Sequence, residues 1–195
     1  MVLLSGAVAY FAQASDLGWS LSGHGADLSH QVFYAKYLNW GVSFPSLALA
    51  LGLLSGVSWT TILTNMFLAL FWVVTYLAAA YTTTVHKWGF FAFGTFSWVI
   101  IAASTLNESR EAAQKTKMAG DYMILAGLVN LTWLLYPVAF ALGDGAGVIG
   151  ITGRFVFVGA LDVVQMVVFS CLLLVLSRRW NYAQLHLDFS EHRFM

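Results

Sequence analysis

The sequence predicts an all-α fold: a polytopic bundle of membrane-spanning helices in one domain, residues 1–180, followed by a cytoplasmic tail, residues 181–195. Hydrophobic residues make up 59% of the chain and charged residues only 9%, whereas soluble domains carry about 25% charged residues. The apolar residues also occur in runs of ~20, the length of a helix that crosses a ~30 Å hydrocarbon core. Because backbone groups in lipid need internal hydrogen bonds, these runs are predicted as helices and not as strands.

Six apolar runs divide the chain, and each is predicted as one helix. The first, residues 2–18, is marginal because Gln13 and Asp16 interrupt it. The polar stretch 19–30 that follows is predicted as a loop. The other five spans are, in order, Val32–Leu54, Trp59–Tyr81, Trp88–Leu106, Tyr122–Leu142 and Gly150–Trp180.

The charged residues outside these spans predict an orientation. The segment Asn107–Asp121 is expected to extend its helix into water, and Gly143–Gly147 is expected to be a loop that leads into the last span. Most lysines and arginines lie in the first of these segments and after Ser177, so the positive-inside bias places both in the cytoplasm. With six spans, both termini are then expected to be cytoplasmic.

The last span contains the first candidate for a functional site. Between Phe155 and Ser177 its strongly polar residues are Asp162 and Gln165. A carboxylate in the middle of a span is costly, so it is a functional-site hypothesis by default. Met166 lies one turn further along the same face of the helix.

The second span has one polar face, because Lys36, Asn39 and Ser43 recur at a spacing of three or four residues. A seam of small polar residues that packs helices together would explain the serine. Lys36 needs an acidic partner or, since it lies near the end of its span, contact of its ammonium group with the membrane interface. We expect a buried ion pair with Asp162 in preference to the interface, because unpaired charge inside a membrane is rare.

Motifs in several spans resemble those of the microbial-type (type 1) rhodopsins. Leu161–Met166 resembles the L-D-x-x-x-K motif of their last helix, and Lys36–Pro45 resembles the R-Y-x-D-W-x-x-T-x-P motif of their third. Trp133–Pro137 extends the match, and Trp88–Gly94 is similar to fungal opsins. The resemblance runs from the first span to Arg179 and points to the fungal opsin-related branch, which includes the heat-shock membrane proteins of yeasts.

This resemblance implies that the six spans correspond to helices two to seven of a seven-helix fold. A sequence that starts after the first helix and a protein that lacks this helix both remain open. For the yeast relatives, the resemblance implies a plasma-membrane location and association with the plasma-membrane proton pump.

Departures from the family pattern decide what the resemblance implies about function. Met166 stands where the family has the lysine that binds retinal as a Schiff base, and a thioether supplies no amine. Asn39 replaces the carboxylate that serves as counterion, Lys36 replaces an arginine, and Ala50 replaces the proton donor of the pumps, while Asp162 is retained. Covalent retinal and light-driven pumping are therefore not expected.

The positions that enclose retinal in the family are still aromatic in this chain. By resemblance, the vestigial pocket is lined by Trp40, Phe91, Trp133, Tyr136 and Phe140, with Met166 at the lost Schiff-base position. Since aromatic residues make up 16% of the chain, ordinary packing of rings in a bundle core is the favoured explanation of these positions. The resemblance also implies that the Tyr136 hydroxyl donates a hydrogen bond to Asp162.

Two functions follow from these observations. The first is a retinal-free, opsin-related membrane protein with a structural, regulatory or chaperone-like role in stress. Its expected partners are the lipid bilayer and a second copy of the chain or another membrane protein such as a proton pump. The alternative is a protein of the same family that binds a retinoid or other lipid non-covalently, or that transports ions. No residue of the sequence is a candidate for catalysis or metal binding, and the zero net charge gives no sign of a nucleic-acid partner.

Overall fold

In the computed structural model the described residues are 1–24 and 27–180, with side chains described for all of them except those of residues 23–30. This part of the chain forms a bundle of six helices, as the sequence predicted: α1 (Val2–Ala14), α2 (Tyr34–Ser55), α3 (Trp59–Tyr81), α4 (Lys87–Lys115), α5 (Ala119–Gly145) and α6 (Ile151–Ser177). The predicted cytoplasmic tail, residues 181–195, lies outside the described residues.

Helices α2 to α6 are each long and apolar enough to cross a membrane, with 22 to 29 residues. Helix α1 has 13 residues and, at 1.5 Å per residue, is only about 20 Å long, which is shorter than a ~30 Å hydrocarbon core. It ends before the predicted boundary because Asp16 and Gly18 adopt the left-handed conformation, with φ of 58° and 76°. The described residues therefore hold five helices of full membrane length and one shorter apolar helix.

A short antiparallel hairpin joins α1 to α2, where the sequence predicted a loop. Its strands are β1 (Ser20–His24) and β2 (Asp27–Val32), and Ser20 pairs with Val32. The prediction missed the hairpin because its polar residues give no hydrophobic alternation, while its stability comes from backbone pairing. The Ser22 hydroxyl donates to the backbone oxygen of Tyr81 over 2.9 Å, which anchors the hairpin to the end of α3. We call this side of the bundle the hairpin end.

Three of the long helices contain a π-helical turn. These turns are Ser104–Glu108 in α4, Ala141–Gly145 in α5 and Val163–Val168 in α6. The turn in α5 replaces most of the predicted loop 143–147 and holds Asp144 in the interior, where the residue is buried. The turn in α6 begins directly after Asp162. Because π-turns are frequent at functional sites, both turns bear on where the site lies.

Two glycines allow the helices near the site to approach closely. At Gly94 in α4, a Cβ atom would lie 2.5 Å from the Thr75 hydroxyl oxygen of α3. At Gly52 in α2, a Cβ atom would lie 2.6 Å from Ile62 of α3. Small residues at these two crossings therefore set how tightly α3 packs against its neighbours.

Candidate functional site

The carboxylate of Asp162 lies in the middle of the bundle and is 1% exposed. One of its oxygens accepts hydrogen bonds from the Tyr136 hydroxyl, at 2.6 Å, and from the Trp40 indole nitrogen, at 2.9 Å. The other oxygen accepts from the Tyr10 hydroxyl at 2.7 Å. The bond from Tyr136 is the one that the resemblance implied, whereas no motif in the sequence indicated that Tyr10 takes part. Neutral donors from α1, α2 and α5 thus converge on one carboxylate of α6.

Lys36 does not pair with Asp162, so the predicted ion pair is wrong. Its ammonium nitrogen lies 2.5 Å from a carboxylate oxygen of Asp144. The physical reason is depth in the membrane. Lys36 lies at the level of Arg154 in α6, because both bind Asp144. Asp162 lies about 12 Å further along α6 than Arg154 does. Trp40, one turn deeper than Lys36, is the residue of α2 that reaches Asp162.

Asp144, Lys36 and Arg154 form a buried cluster of three charges, which we call the ion triad. Asp144 bonds to Lys36 through one oxygen and to Arg154 through the other, and it also accepts a hydrogen bond from the Tyr37 hydroxyl at 2.8 Å. Arg154 donates in addition to the backbone oxygen of Gln31 in β2, at 3.3 Å. The triad therefore ties α2, α5, α6 and the hairpin together at the hairpin end.

Sequence reasoning overlooked Asp144 and Arg154. Asp144 lies in a glycine-rich stretch that was interpreted as a loop, and the polar residues of the last span were counted only from Phe155 onward. A signal was present nonetheless, because Arg154 is the fourth residue of a membrane-length helix and a charge there needs a partner. Gly143 provides the space, since a Cβ atom at this position would lie 2.7 Å from the side chain of Arg154.

Met166 is buried one turn beyond Asp162, and its sulfur faces α1 and α2. The Asn39 amide nitrogen lies 3.5 Å from this sulfur, and the Asn39 amide oxygen accepts a hydrogen bond from Ser5 at 3.0 Å. A Cβ atom at Gly6 would lie 3.2 Å from the sulfur. The sequence predicted that Lys36, Asn39 and Asp162 form one polar cluster. In the structure each has different partners: Asp144 for Lys36, Met166 and Ser5 for Asn39, and three neutral donors for Asp162.

The rings predicted to line a vestigial pocket all lie within the bundle: Trp40, Phe91, Trp133, Tyr136 and Phe140. They pack against one another and against further aromatic residues. The ring centroids of Trp40 and Tyr136 are 5.0 Å apart, and Phe44 lies 5.6 Å from Trp133. Phe91 stacks on Phe140 at 5.5 Å. Such distances are those of favourable aromatic pairs, so ring packing accounts for these positions.

Comparison with known proteins supports the fold and the ancestry of this site. The model of the family described as bacteriorhodopsin-like protein matches residues 1–179. The chain belongs to the bacteriorhodopsin-like family. Its helical bundle is shared with the light-driven proton pump of Leptosphaeria maculans, with a TM-score of 0.85 and 28% identity over 94% of this chain and 80% of that one.

Two fungal members of the bacteriorhodopsin-like family confirm the predicted branch. The chain is 31% identical to the opsin-like protein carO of Fusarium fujikuroi, over 99% of its own length and 67% of the relative. It is 27% identical to the 30 kDa heat shock protein of Saccharomyces cerevisiae, over 94% of its own length and 63% of the relative. The chain therefore spans about two thirds of the length of these relatives.

The residues of this bacteriorhodopsin-like chain do not fit covalently bound retinal. By the resemblance, Met166 occupies the position of the lysine, and a Schiff base requires an amine. The lysines of the chain are Lys36, Lys87, Lys115 and Lys117. Lys36 is bound to Asp144, and the others lie at or beyond the ends of α4. Beside the Met166 thioether lie the amide of Asn39 and the hydroxyl of Ser5.

Gln165 is a further site residue, in the π-turn that separates Asp162 from the rest of α6. It is fully buried, and neither its amide nitrogen nor its amide oxygen has a hydrogen-bond partner among the described residues. The indole nitrogen of Trp133 in α5 is also buried, and it has no partner within the described part of the chain. A buried polar group without a partner costs about 1–3 kcal/mol, so water or a polar ligand atom beside Gln165 would be stabilised.

Proposed function

We propose that this member of the bacteriorhodopsin-like family is a retinal-free membrane protein with a structural, regulatory or chaperone-like role, and that it does not pump ions in response to light. The observation that carries the proposal is Met166, buried one turn beyond Asp162. The thioether contacts Asn39 and leaves no amine beside the carboxylate. Without an amine at this position, no retinal Schiff base forms there. No chromophore is then present to isomerise in light, and no protonated Schiff base is present to release a proton.

The hydrogen bonding around the site also supports a structural role. Asp162 is held by three neutral donors and Lys36 is held by Asp144, so the charged groups of the site are bound, whereas Gln165 has no partner among the described residues. Hydrogen bonds of this kind between buried groups make a core rigid and specify its packing. The aromatic rings add to this rigidity because they fill the space between α2, α3 and α5.

The stress-related part of the proposal rests on the fungal relatives. One relative is named a 30 kDa heat shock protein, and it matches nearly the whole of this chain. We extend the proposal to a location in the plasma membrane and to a partner within it: a second copy of the chain or another membrane protein such as a proton pump. Expression of this chain in Saccharomyces cerevisiae that lacks the heat shock protein tests the role, and unchanged growth after heat stress would contradict it.

A spectrum of the purified protein with all-trans retinal tests the retinal-free state. We expect no visible band that shifts on acidification and no lysine that carries retinal after borohydride reduction. The matched control is Met166→Leu, which keeps the volume and should give the same spectrum as the parent. A retinylated lysine in the parent protein would overturn the proposal.

A second candidate function, non-covalent lipid binding, is favoured by a groove between α1 and α2. The groove has a volume of about 640 Å³, within the range of small-molecule sites. Its walls include Leu4, Val8 and Leu38, while Ser5 and Asn39 provide polar atoms. Mass spectrometry of co-purified lipid would test this function. Ala12→Trp, inside the groove, should remove such a lipid, and Ala103→Trp, on the exposed face of α4, should not.

A further inference from the structure

The end of the bundle opposite to the hairpin carries most of the exposed charged residues that the structure describes. We call it the distal end; α2, α4 and α6 end there, and α3 and α5 begin there. Its cationic residues are all exposed: Arg110, Lys115, Lys117, Arg178 and Arg179. Its described carboxylates are fewer, namely Glu108, Glu111 and Asp121. The distal end is therefore positively charged, and it is the end that the positive-inside bias predicts to be cytoplasmic.

Three of these cations have no acidic partner in the described part of the chain, and we call them the basic patch: Lys117, Arg178 and Arg179. The salt bridges among the described residues are those of the ion triad, at the other end of the bundle. Asp121 lies four residues after Lys117, but its carboxylate accepts a hydrogen bond from the Trp180 indole nitrogen at 2.6 Å. The patch is thus free to attract negative charge from outside the chain.

The backbone around the basic patch is held in place by buried neighbours. Trp180 directly follows Arg179, and its ring packs against the hydrophobic core. Its bond to Asp121 ties the end of α6 to the first turn of α5. Lys117 adopts a left-handed conformation, with φ of 61°, in the turn between α4 and α5, and the next residue, Met118, is buried in the core. The three cations are therefore presented together where α5 begins and α6 ends.

The basic patch lies at the level of a membrane surface. Arg178 directly follows Ser177, the last residue of a span of 27 residues. Trp59, the first residue of α3, is exposed at the same end of the bundle. Tryptophan is enriched where a membrane meets water, and Trp180 lies beside the patch as well. The cationic side chains are thus placed among lipid headgroups.

We propose that the basic patch binds the headgroups of anionic lipids and so attaches the distal end to a negatively charged leaflet. Each lysine or arginine near such a surface strengthens the attraction about fivefold. An acidic segment of another protein would meet the same charges, but the position of the patch at headgroup level favours lipid. The site is independent of the proposed function, because it uses neither Met166 nor Asp162.

The experiment titrates phosphatidylserine or phosphatidylcholine onto the purified full chain in neutral detergent micelles, and native mass spectrometry counts the bound lipid. We expect the parent to bind phosphatidylserine at least about tenfold more tightly than phosphatidylcholine. Arg178→Gln combined with Arg179→Gln should weaken phosphatidylserine binding about 25-fold and leave phosphatidylcholine binding unchanged.

The matched control is Arg110→Gln combined with Lys115→Gln, which removes the same charge from the same end of the bundle. Both residues lie on the last turns of α4, close in sequence to Glu108 and Glu111. At physiological ionic strength, exposed charges outside the patch are largely screened, so this variant should change phosphatidylserine binding by less than about threefold. Equal losses in the two double variants would assign the effect to net charge and overturn the proposal.

A further variant keeps the test valid if Arg178→Gln with Arg179→Gln does not fold. Asp121→Asn keeps an oxygen that can accept the bond from Trp180 and removes the negative charge beside the patch, so it should bind phosphatidylserine about fivefold more tightly. A gain in affinity is not a consequence of misfolding, and no gain would contradict the proposal. The proposal is also overturned if the parent does not prefer phosphatidylserine. Binding of poly-glutamate in that case would assign the patch to an acidic protein segment.

Discussion

Lys36 and Asp144 form a buried ion pair in which the ammonium nitrogen lies 2.5 Å from the carboxylate oxygen. The pair joins the first turn of α2 to the π-helical end of α5. Asp144 also binds Arg154 at the start of α6, so it is the central member of the triad, while among the described residues each cation has one carboxylate partner. This asymmetry predicts which of the three residues the fold needs most.

We predict that Asp144→Leu destabilises the protein more than Lys36→Met does. Removal of Asp144 leaves two buried cations without a carboxylate partner among the described residues, and breaking a buried pair in this way costs about 3–5 kcal/mol. After Lys36→Met, Asp144 keeps its bond to Arg154, so the cost should be clearly smaller. Thermal unfolding of the two variants in nanodiscs measures both effects. An equal loss in the two variants would contradict the central role of Asp144.

Double-mutant cycles test the pairing itself. The change Lys36→Met combined with Asp144→Leu should be milder than the sum of the single changes by at least about 1 kcal/mol, because the residues are in contact. The matched cycle combines Lys36→Met with Asp162→Leu, and its coupling should be clearly smaller, because these two residues do not bond to each other and, among the described residues, are linked only through Trp40. Strong coupling in the second cycle, with none in the first, would show that Lys36 pairs with Asp162 after all.

The hydrogen bond from Tyr136 to Asp162 should contribute measurably to stability. Tyr136→Phe removes a donor at 2.6 Å from a buried carboxylate, and hydrogen bonds to charged groups contribute about 1.5–3 kcal/mol. We therefore expect a loss in that range, measured by thermal unfolding. The control is Tyr34→Phe, at an exposed position, where we expect a change of less than about 0.5 kcal/mol. Equal effects at the two positions would contradict this assignment.

Gln165→Leu should leave stability unchanged or increase it. The parent side chain is fully buried and has no hydrogen-bond partner among the described residues. An apolar residue of similar size removes a desolvation cost of about 1–3 kcal/mol. Asn130→Leu is the matched control, because the Asn130 amide bonds to Thr105 and to the backbone oxygen of Ala126, so this change should be destabilising. If Gln165→Leu destabilises the protein by as much, Gln165 has a partner such as a bound water.

Alanine should have opposite effects at two glycines, because Gly94 lies where α4 packs closely against α3 and Gly127 has free space beside it. Gly94→Ala places a Cβ atom 2.5 Å from the Thr75 hydroxyl oxygen and 2.7 Å from the Tyr76 ring, and such overpacking typically costs about 1–3 kcal/mol. At Gly127 in α5, a new Cβ atom meets nothing within 4 Å. Gly127→Ala should therefore be neutral or slightly stabilising. Thermal unfolding measures both, and tolerance of Gly94→Ala would mean that α4 can shift away from α3.

The sequence predicted the membrane bundle because the signal for a spanning helix is local. Hydropathy over ~20 residues is a property of consecutive side chains, and the predicted third span coincides with α3, Trp59–Tyr81. The hairpin was missed because pairing between β1 and β2 comes from backbone groups, which leave little trace in a short polar segment. The π-turn at Ala141–Gly145 was missed because its glycines resemble those of a loop.

The sequence by itself determined that this is an all-α membrane protein of the bacteriorhodopsin-like family, and its motifs indicated the hydrogen bond between Tyr136 and Asp162. Only the tertiary structure decided that Lys36 pairs with Asp144, that Arg154 joins them and that Tyr10 reaches Asp162. These partners lie on different helices. Which of them meet depends on the depth of each side chain along its helix and on the π-turn that keeps Asp144 inside. Neither the relative depth of two side chains nor the burial of Asp144 can be derived from a single stretch of sequence.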